Sequence, residues 1–182
     1  MLRGEVAGLR AQDDNDVPVL HAELHEDVAT WIRADSRPWR PIPPSAESPV
    51  RAGGPREDSA VFSVVQLATG DLAGQAMLWA IDLHNRSAHV GISLRPAFRG
   101  CGLGADTVRV LCRYAFAILG LQRLQVETLA SNAAMIATAT RAGFVPEGTL
   151  RQSAWVDGQF ADEVILGLLA RDWDRPRTGH PA

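Results

Sequence analysis

Apolar and polar positions along this chain change rhythm several times, and each change marks an element. Alternation with a period of two predicts strands over residues 60–67 and 72–82, strand-type composition marks 2–10 and 88–94, and 121–129 reads as a strand with Leu124, Val126 and Thr128 on one face. A helical period takes over in 103–119, where Val108, Leu111, Cys112, Ala115, Phe116 and Leu119 form one stripe. An earlier helix runs through Val19, Leu20, Leu24 and Val28, with Asp13, Asp14 and Asn15 available to cap it. A shorter helix over 132–142 stops at Gly143. Thr69-Gly70-Asp71 reads as a hairpin turn, and so does Asp157-Gly158 between 149–156 and 159–169. Residues 37–59 carry six prolines and the Gly53-Gly54 pair, which rules out a regular element there. A loop of that length in a compact domain is either functional or disordered. The order βα-βββ-α-β-α-ββ is mixed α+β, with no internal repeat.

Composition narrows the class. With 182 residues, 46% apolar and 21% charged, the chain reads as one soluble globular domain spanning 1–182. A net charge of −3 gives no footprint for nucleic acid. No run of 18 apolar residues suggests a membrane span, and the N-terminus lacks the apolar core of a signal peptide. Cys101 and Cys112 are eleven residues apart, one in a loop and one on a helix, too distant to bridge. A reduced, cytoplasmic protein is expected.

The segment Arg99-Gly-Cys-Gly-Leu-Gly104 lies between a strand and a helix. Such a turn presents unpaired N–H groups at the positive end of the helix dipole, a ready site for phosphate or pyrophosphate. Gly102 and Gly104 allow close approach of the backbone, and Arg99 adds a fixed positive charge. A P-loop requires Gly-Lys-Ser/Thr, and the chain contains no lysine. Gly100, Gly102 and Ala105 fit the dinucleotide spacing G-x-G-x-x-A, with Glu127 about 20 residues on. Residues 95–99 separate the strand from the first glycine, however, and too little chain flanks the unit for a six-stranded doubly wound sheet.

The Arg-x-x-Gly-x-Gly spacing resembles the coenzyme A pyrophosphate loop of the GNAT superfamily of N-acetyltransferases. Further along stand Ser131-Asn132-Ala-Ala-Met135, Ala142-Gly143-Phe144, Glu147-Gly148 and Arg151. These are similar to the Asn…Gly-Phe-x-x-Glu-Gly-x-x-Arg signature of the RimJ/RimL-like branch, the ribosomal-protein N-terminal acetyltransferases. Asp162, Asp172-Trp173, the opening Val6-Ala-Gly-Leu-Arg10 and Asp16 also resemble that branch. The resemblance implies an acyl-CoA N-acyltransferase fold, with a mainly antiparallel twisted sheet flanked by helices. It implies acetyl-CoA as co-substrate and a primary amine as acceptor, either a protein N-terminus or a small molecule. The backbone of Ile92, Ser93 and Leu94 would pair with the pantetheine arm. Residues Arg99, Gly100, Cys101, Gly102, Leu103 and Gly104 would hold the pyrophosphate, and Asn132 would bond the arm. Asn132 is equally suited to cap its helix. A non-catalytic acyl-CoA-binding sensor and a transferase of a longer acyl group such as succinyl remain alternatives.

Acetyl transfer needs a base, because the attacking amine must shed a proton. Glu127 lies five residues before Asn132, the spacing that the resemblance implies for a catalytic glutamate. His89 precedes Val90-Gly91 and titrates near neutrality. No metal is called for. Where the family places a tyrosine acid, four residues before Gly-Phe, this chain has Ala139, and Met135 replaces the branch's serine. The only tyrosine, Tyr114, falls on the other helix. For the acceptor, Glu23, Glu26 and Asp27 offer negative charge, Arg33, Arg37 and Arg40 offer positive charge, and Trp31 and Trp39 offer a cover. The apolar hairpin at 149–169 could pair two copies into a homodimer.

Overall fold

The computed structural model describes residues 1–34, 38–45, 47–52 and 56–173. The side chain of Arg33, together with Arg37, Gly53, Gly54 and Pro55, lies outside the described residues. Eight strands form one sheet in the order β1-β2-β3-β4-β5-β6-β8-β7. They are β1 (Leu2–Arg3), β2 (Ala7–Arg10), β3 (Ser59–Gln66), β4 (Leu72–Asp82), β5 (Ser87–Leu94), β6 (Arg123–Leu129), β7 (Val145–Val156) and β8 (Gln159–Leu169). Every neighbouring pair is antiparallel except β5 and β6. An antiparallel-rich sheet of this order excludes the doubly wound dinucleotide fold.

The helices are α1 (Asp16–Leu20), α2 (Val28–Ala34), α3 (Leu103–Arg113), α4 (Ala133–Ala142) and α5 (Ala170–Trp173). Wider π-type turns prolong α1 through His21–His25 and α3 through Tyr114–Ile118. One face of the sheet buries Leu78, Val90, Leu124, Val126, Leu166 and Leu168 with Leu103, Val108 and Leu111 of α3 and Ala139 of α4. This is the face that the alternation in β6 selects, with Thr128 joining Leu124 and Val126 inside. Gly143, at φ 106°, ends α4 and lets Phe144 turn straight into that core. An L-residue there would cost about 1–2 kcal/mol.

Three expectations change. The segment 2–10, expected as one strand, is a tight hairpin with Leu2 opposite Leu9. Its turn is held from outside, by the Asp106 carboxylate on α3, which accepts the Val6 and Ala7 amides at 2.8 Å each. The first helix is likewise two, broken at Glu26-Asp27, with Val28 starting the second. Finally, no side chain caps α1. Asp13 accepts the Asn15 amide in a local turn, while buried Asp16 binds Arg10, Ser63 and the Asp13 amide. Burial alone would raise the Asp16 pKa, but these donors outweigh it and hold it below the ordinary carboxylate range.

The described part of the proline-rich stretch is packed rather than loose. Val50 is buried with Leu20, Leu24 and Trp31 in a second small core, and Ile32, Trp39 and Leu72 pack against it. The Val50 carbonyl accepts from Gln12 at 2.9 Å and Gln75 at 2.5 Å. Among the described residues, no helix is long and apolar enough to cross a membrane.

Candidate functional site

The site begins where two strands part. β5 and β6 are paired only from Ser87↔Arg123 to His89↔Gln125, yet β5 runs on to Leu94 beside β4, and β6 runs on to Leu129 beside β8. Beyond His89 the edge of β5 that faces β6 has no strand partner, so its backbone groups at Ile92, Ser93 and Leu94 border a wedge. The wedge ends near the glycine-rich turn. Gly100 and Gly102 have φ of 77° and 86°, and a Cβ at either would meet nothing within 4 Å. No backbone acceptor within the described residues takes the amides from Gly100 to Gly104, as expected for a helix start. Free amides at a helix start, with open space at Gly100 and Gly102, fit a pyrophosphate.

Two residues of this loop behave differently from expectation. The Arg99 Nε donates to the Leu94 carbonyl at 2.9 Å, tying the loop to the end of β5. Gly104 faces inward, where a Cβ would lie 3.6 Å from both Ile92 and Thr138. It is therefore a packing glycine between α3, α4 and β5. Cys101 is exposed, and Leu103 is buried in the core.

Asn132 caps α4, its Oδ1 accepting the Met135 amide at 3.1 Å while its Nδ2 donates to Thr128 Oγ1 at 2.9 Å. Ala139, at the position of the absent tyrosine, is fully buried. Tyr114 packs edge-on against Phe62, with centroids 5.2 Å apart. Glu147, from the sequence signature, pairs with Arg123 across Gly167, where a Cβ would overlap the carboxylate.

His89 and Glu127 share the sheet face opposite α3, because His89 is in register with Gln125 and side chains alternate. Glu127 is exposed. His89 is half-buried, and its Nδ1 is enclosed with no hydrogen-bond partner among the described residues. Burial pushes the His89 pKa down; Glu127 is near enough to oppose this, and Arg123 adds to it. The balance favours the neutral imidazole, with Glu127 on the same face of the sheet. Sequence reasoning passed over Trp79, which lies opposite His89 with ring centroids 4.2 Å apart. Its signal was a bulky aromatic at an outward position of an alternating strand.

The groups expected to receive an acceptor are mostly engaged elsewhere. Glu23 pairs with Arg95, Asp27 caps α2 through Thr30, and Glu26 lies 3.9 Å from His21. Trp31 is buried, and Trp39 stacks on His25 and donates to its carbonyl, so both serve the second core rather than a cover. A separate concavity around Gln12, Phe62 and Tyr114 has its cations paired, Arg51 to Asp14 and Arg56 to Asp58.

Comparison with known proteins gives a family. Residues 8–145 match the acetyltransferase (GNAT) domain. The chain is 34% identical over 108 residues to the putative ribosomal N-acetyltransferase YdaF of Bacillus subtilis, covering 59% of each protein. It therefore spans less than two thirds of that relative's length. Two solved structures share its fold at 19% identity. RimJ of Mycobacterium smegmatis, in complex with CoA-disulfide, has a TM-score of 0.78 over 93% of this chain and 84% of its own. The spermidine N-acetyltransferase of Vibrio cholerae, in complex with CoA and spermine, has 0.74 over 92% and 98%.

Proposed function

The chain belongs to the GNAT acetyltransferase domain family, and on that footing we propose that it is an N-acetyltransferase acting directly between acetyl-CoA and a primary amine. The observation that carries the proposal is the wedge between β5 and β6, which leads from the free amides of the glycine-rich turn to the pair His89 and Glu127. We read residues 1–182 as one such domain, working without a membrane or nucleic acid partner in the cytoplasm.

The residues divide the work as follows. The amides of Gly100, Cys101, Gly102, Leu103 and Gly104 hold the pyrophosphate at the N-terminus of α3. The open edge of β5 at Ile92, Ser93 and Leu94 pairs with the pantetheine amides, and an N–H near Leu94 polarises the carbonyl. Arg99 braces this corner through Leu94. Asn132 fixes the start of α4 beside the arm. Bound acetyl-CoA supplies a thioester whose C–S bond breaks as the new C–N bond forms. Glu127 takes the proton that the amine loses, directly or through water, and His89 on the same face is a second base that water can connect to it. The leaving thiolate, with an ordinary pKa of about 8.5, departs without a side-chain acid, consistent with the buried alanine at 139.

Calorimetric titration with acetyl-CoA, followed by thiol release in the presence of amines, tests the reading. Gly102→Ala forces an L-residue to φ 86° and should weaken binding by roughly tenfold. Glu127→Gln should keep acetyl-CoA affinity and lose about 100-fold or more in kcat. A protein that binds acetyl-CoA but releases thiol at the same slow rate with and without amines, in both wild type and Glu127→Gln, would instead be a sensor.

A further inference from the structure

The sheet face that carries His89 and Glu127 also carries Trp79, and its placement is unusual. The indole is 43% exposed, yet it is not loose, because it packs on the His89 ring at a tilt of 38°. Directly after it Ala80 takes a left-handed φ of 48°, where the pairing of β4 with β5 becomes irregular between Trp79 and Asp82. A bulge at this point re-aims the strand beside a candidate site, a common use of bulges. Next to Trp79 on the same face stand Met77 and, across β6, Ile165 opposite Glu127. Both are partly open. The floor is thus aromatic and aliphatic, with Glu127 and, diagonal to it, Glu163 as its carboxylates.

Neither Glu127 nor Glu163 is in an ion pair among the described residues, so a primary ammonium finds a counter-charge here. On α1 and α2, Glu23 is paired with Arg95, while Asp27 and Glu26 stay open to solvent. Resting on the acetyltransferase reading above, we propose that the acceptor is a primary amine with a flat apolar body, and that Trp79 is the residue that selects it. The body stacks on the exposed indole face while the ammonium is held at Glu127, which also receives its proton. Aromatic stacking and a cation beside an indole both favour this orientation.

The test uses the CoA-loaded protein titrated with 2-phenylethylamine, spermidine and a short serine-initial peptide, with thiol release from acetyl-CoA measured for each. Phenylethylamine should bind and be acetylated with a KM at least about tenfold below that for spermidine. Trp79→Ala should raise the phenylethylamine KM by about tenfold with little change in kcat, and Trp79→Phe, which keeps a ring, should restore most of it. Failure of phenylethylamine to bind, preference for spermidine or the peptide, or an unchanged KM in Trp79→Ala would each overturn the inference while leaving the transferase reading intact. A protein that does not bind acetyl-CoA overturns both.

Discussion

The carboxylate of Asp106, in the first turns of α3, accepts the backbone N–H of Ala7 across 99 residues of chain, at 2.8 Å. The same oxygen takes the Val6 amide, and Arg109 donates to the other at 3.1 Å. Gly4 is required beside it, since a Cβ there would overlap the carboxylate. Burial would raise the Asp106 pKa, but the amides outweigh it and hold it low. Asp106→Asn replaces one acceptor by a donor facing N–H groups. It should destabilise the fold by about 2–3 kcal/mol, read as a lower denaturant midpoint at unchanged slope.

Restoring the family's tyrosine at 139 should not restore an acid. Ala139 is fully enclosed between α4 and the main core, so Ala139→Tyr forces a large ring into a filled space. A loss of about 1–3 kcal/mol in stability is expected, with no gain in kcat. A more active, equally stable variant would contradict this placement of α4.

Acid should loosen the protein in two stages. Burial, then neighbouring His25, pushes the His21 pKa below its ordinary value, and Glu26 only partly offsets this. His89 moves the same way. Unfolded histidines take protons near pH 6.5 while the folded ones resist, so this stability is present above that value and is lost as pH falls below it. Asp16 and Asp106 move downward too; their contribution persists above about pH 4 and disappears as pH drops through their folded values. Unfolding free energy measured at pH 5 and 7.5 should rise with pH. Replacing His21 with Gln should flatten that slope.

The two cysteines should react very differently. Burial pushes the Cys112 thiol up to about 12, whereas Cys101 is exposed on the glycine-rich turn. A disulfide reagent at pH 8 should modify one thiol per native chain, Cys101, and the second only on unfolding. Acetyl-CoA should slow Cys101 labelling as its site fills. Labelling indifferent to acetyl-CoA would place the pyrophosphate elsewhere.

Much of the fold is legible in the sequence, because its signals are local. Alternation in 60–67 and 72–82, the strand composition of 88–94, the Asp157-Gly158 turn and the Gly143 stop each depend on a few adjacent side chains, and each stands in the structure. The glycine-rich turn at the start of α3 was equally local, so its free amides followed from helix geometry alone. What the chain could not disclose were consequences of partners far away in sequence. Asp106 folds residues 2–10 into a hairpin, and His21 and His25 bury themselves against Ser48, Arg40 and two tryptophans, drawing the first helix into the second core. Trp79 meets His89 only because β4 and β5 pair in that register. Sequence periodicity fixes which face a residue occupies, but register and strand order decide what that face meets. That is why the loop could be found by reading and the acceptor wall only by folding.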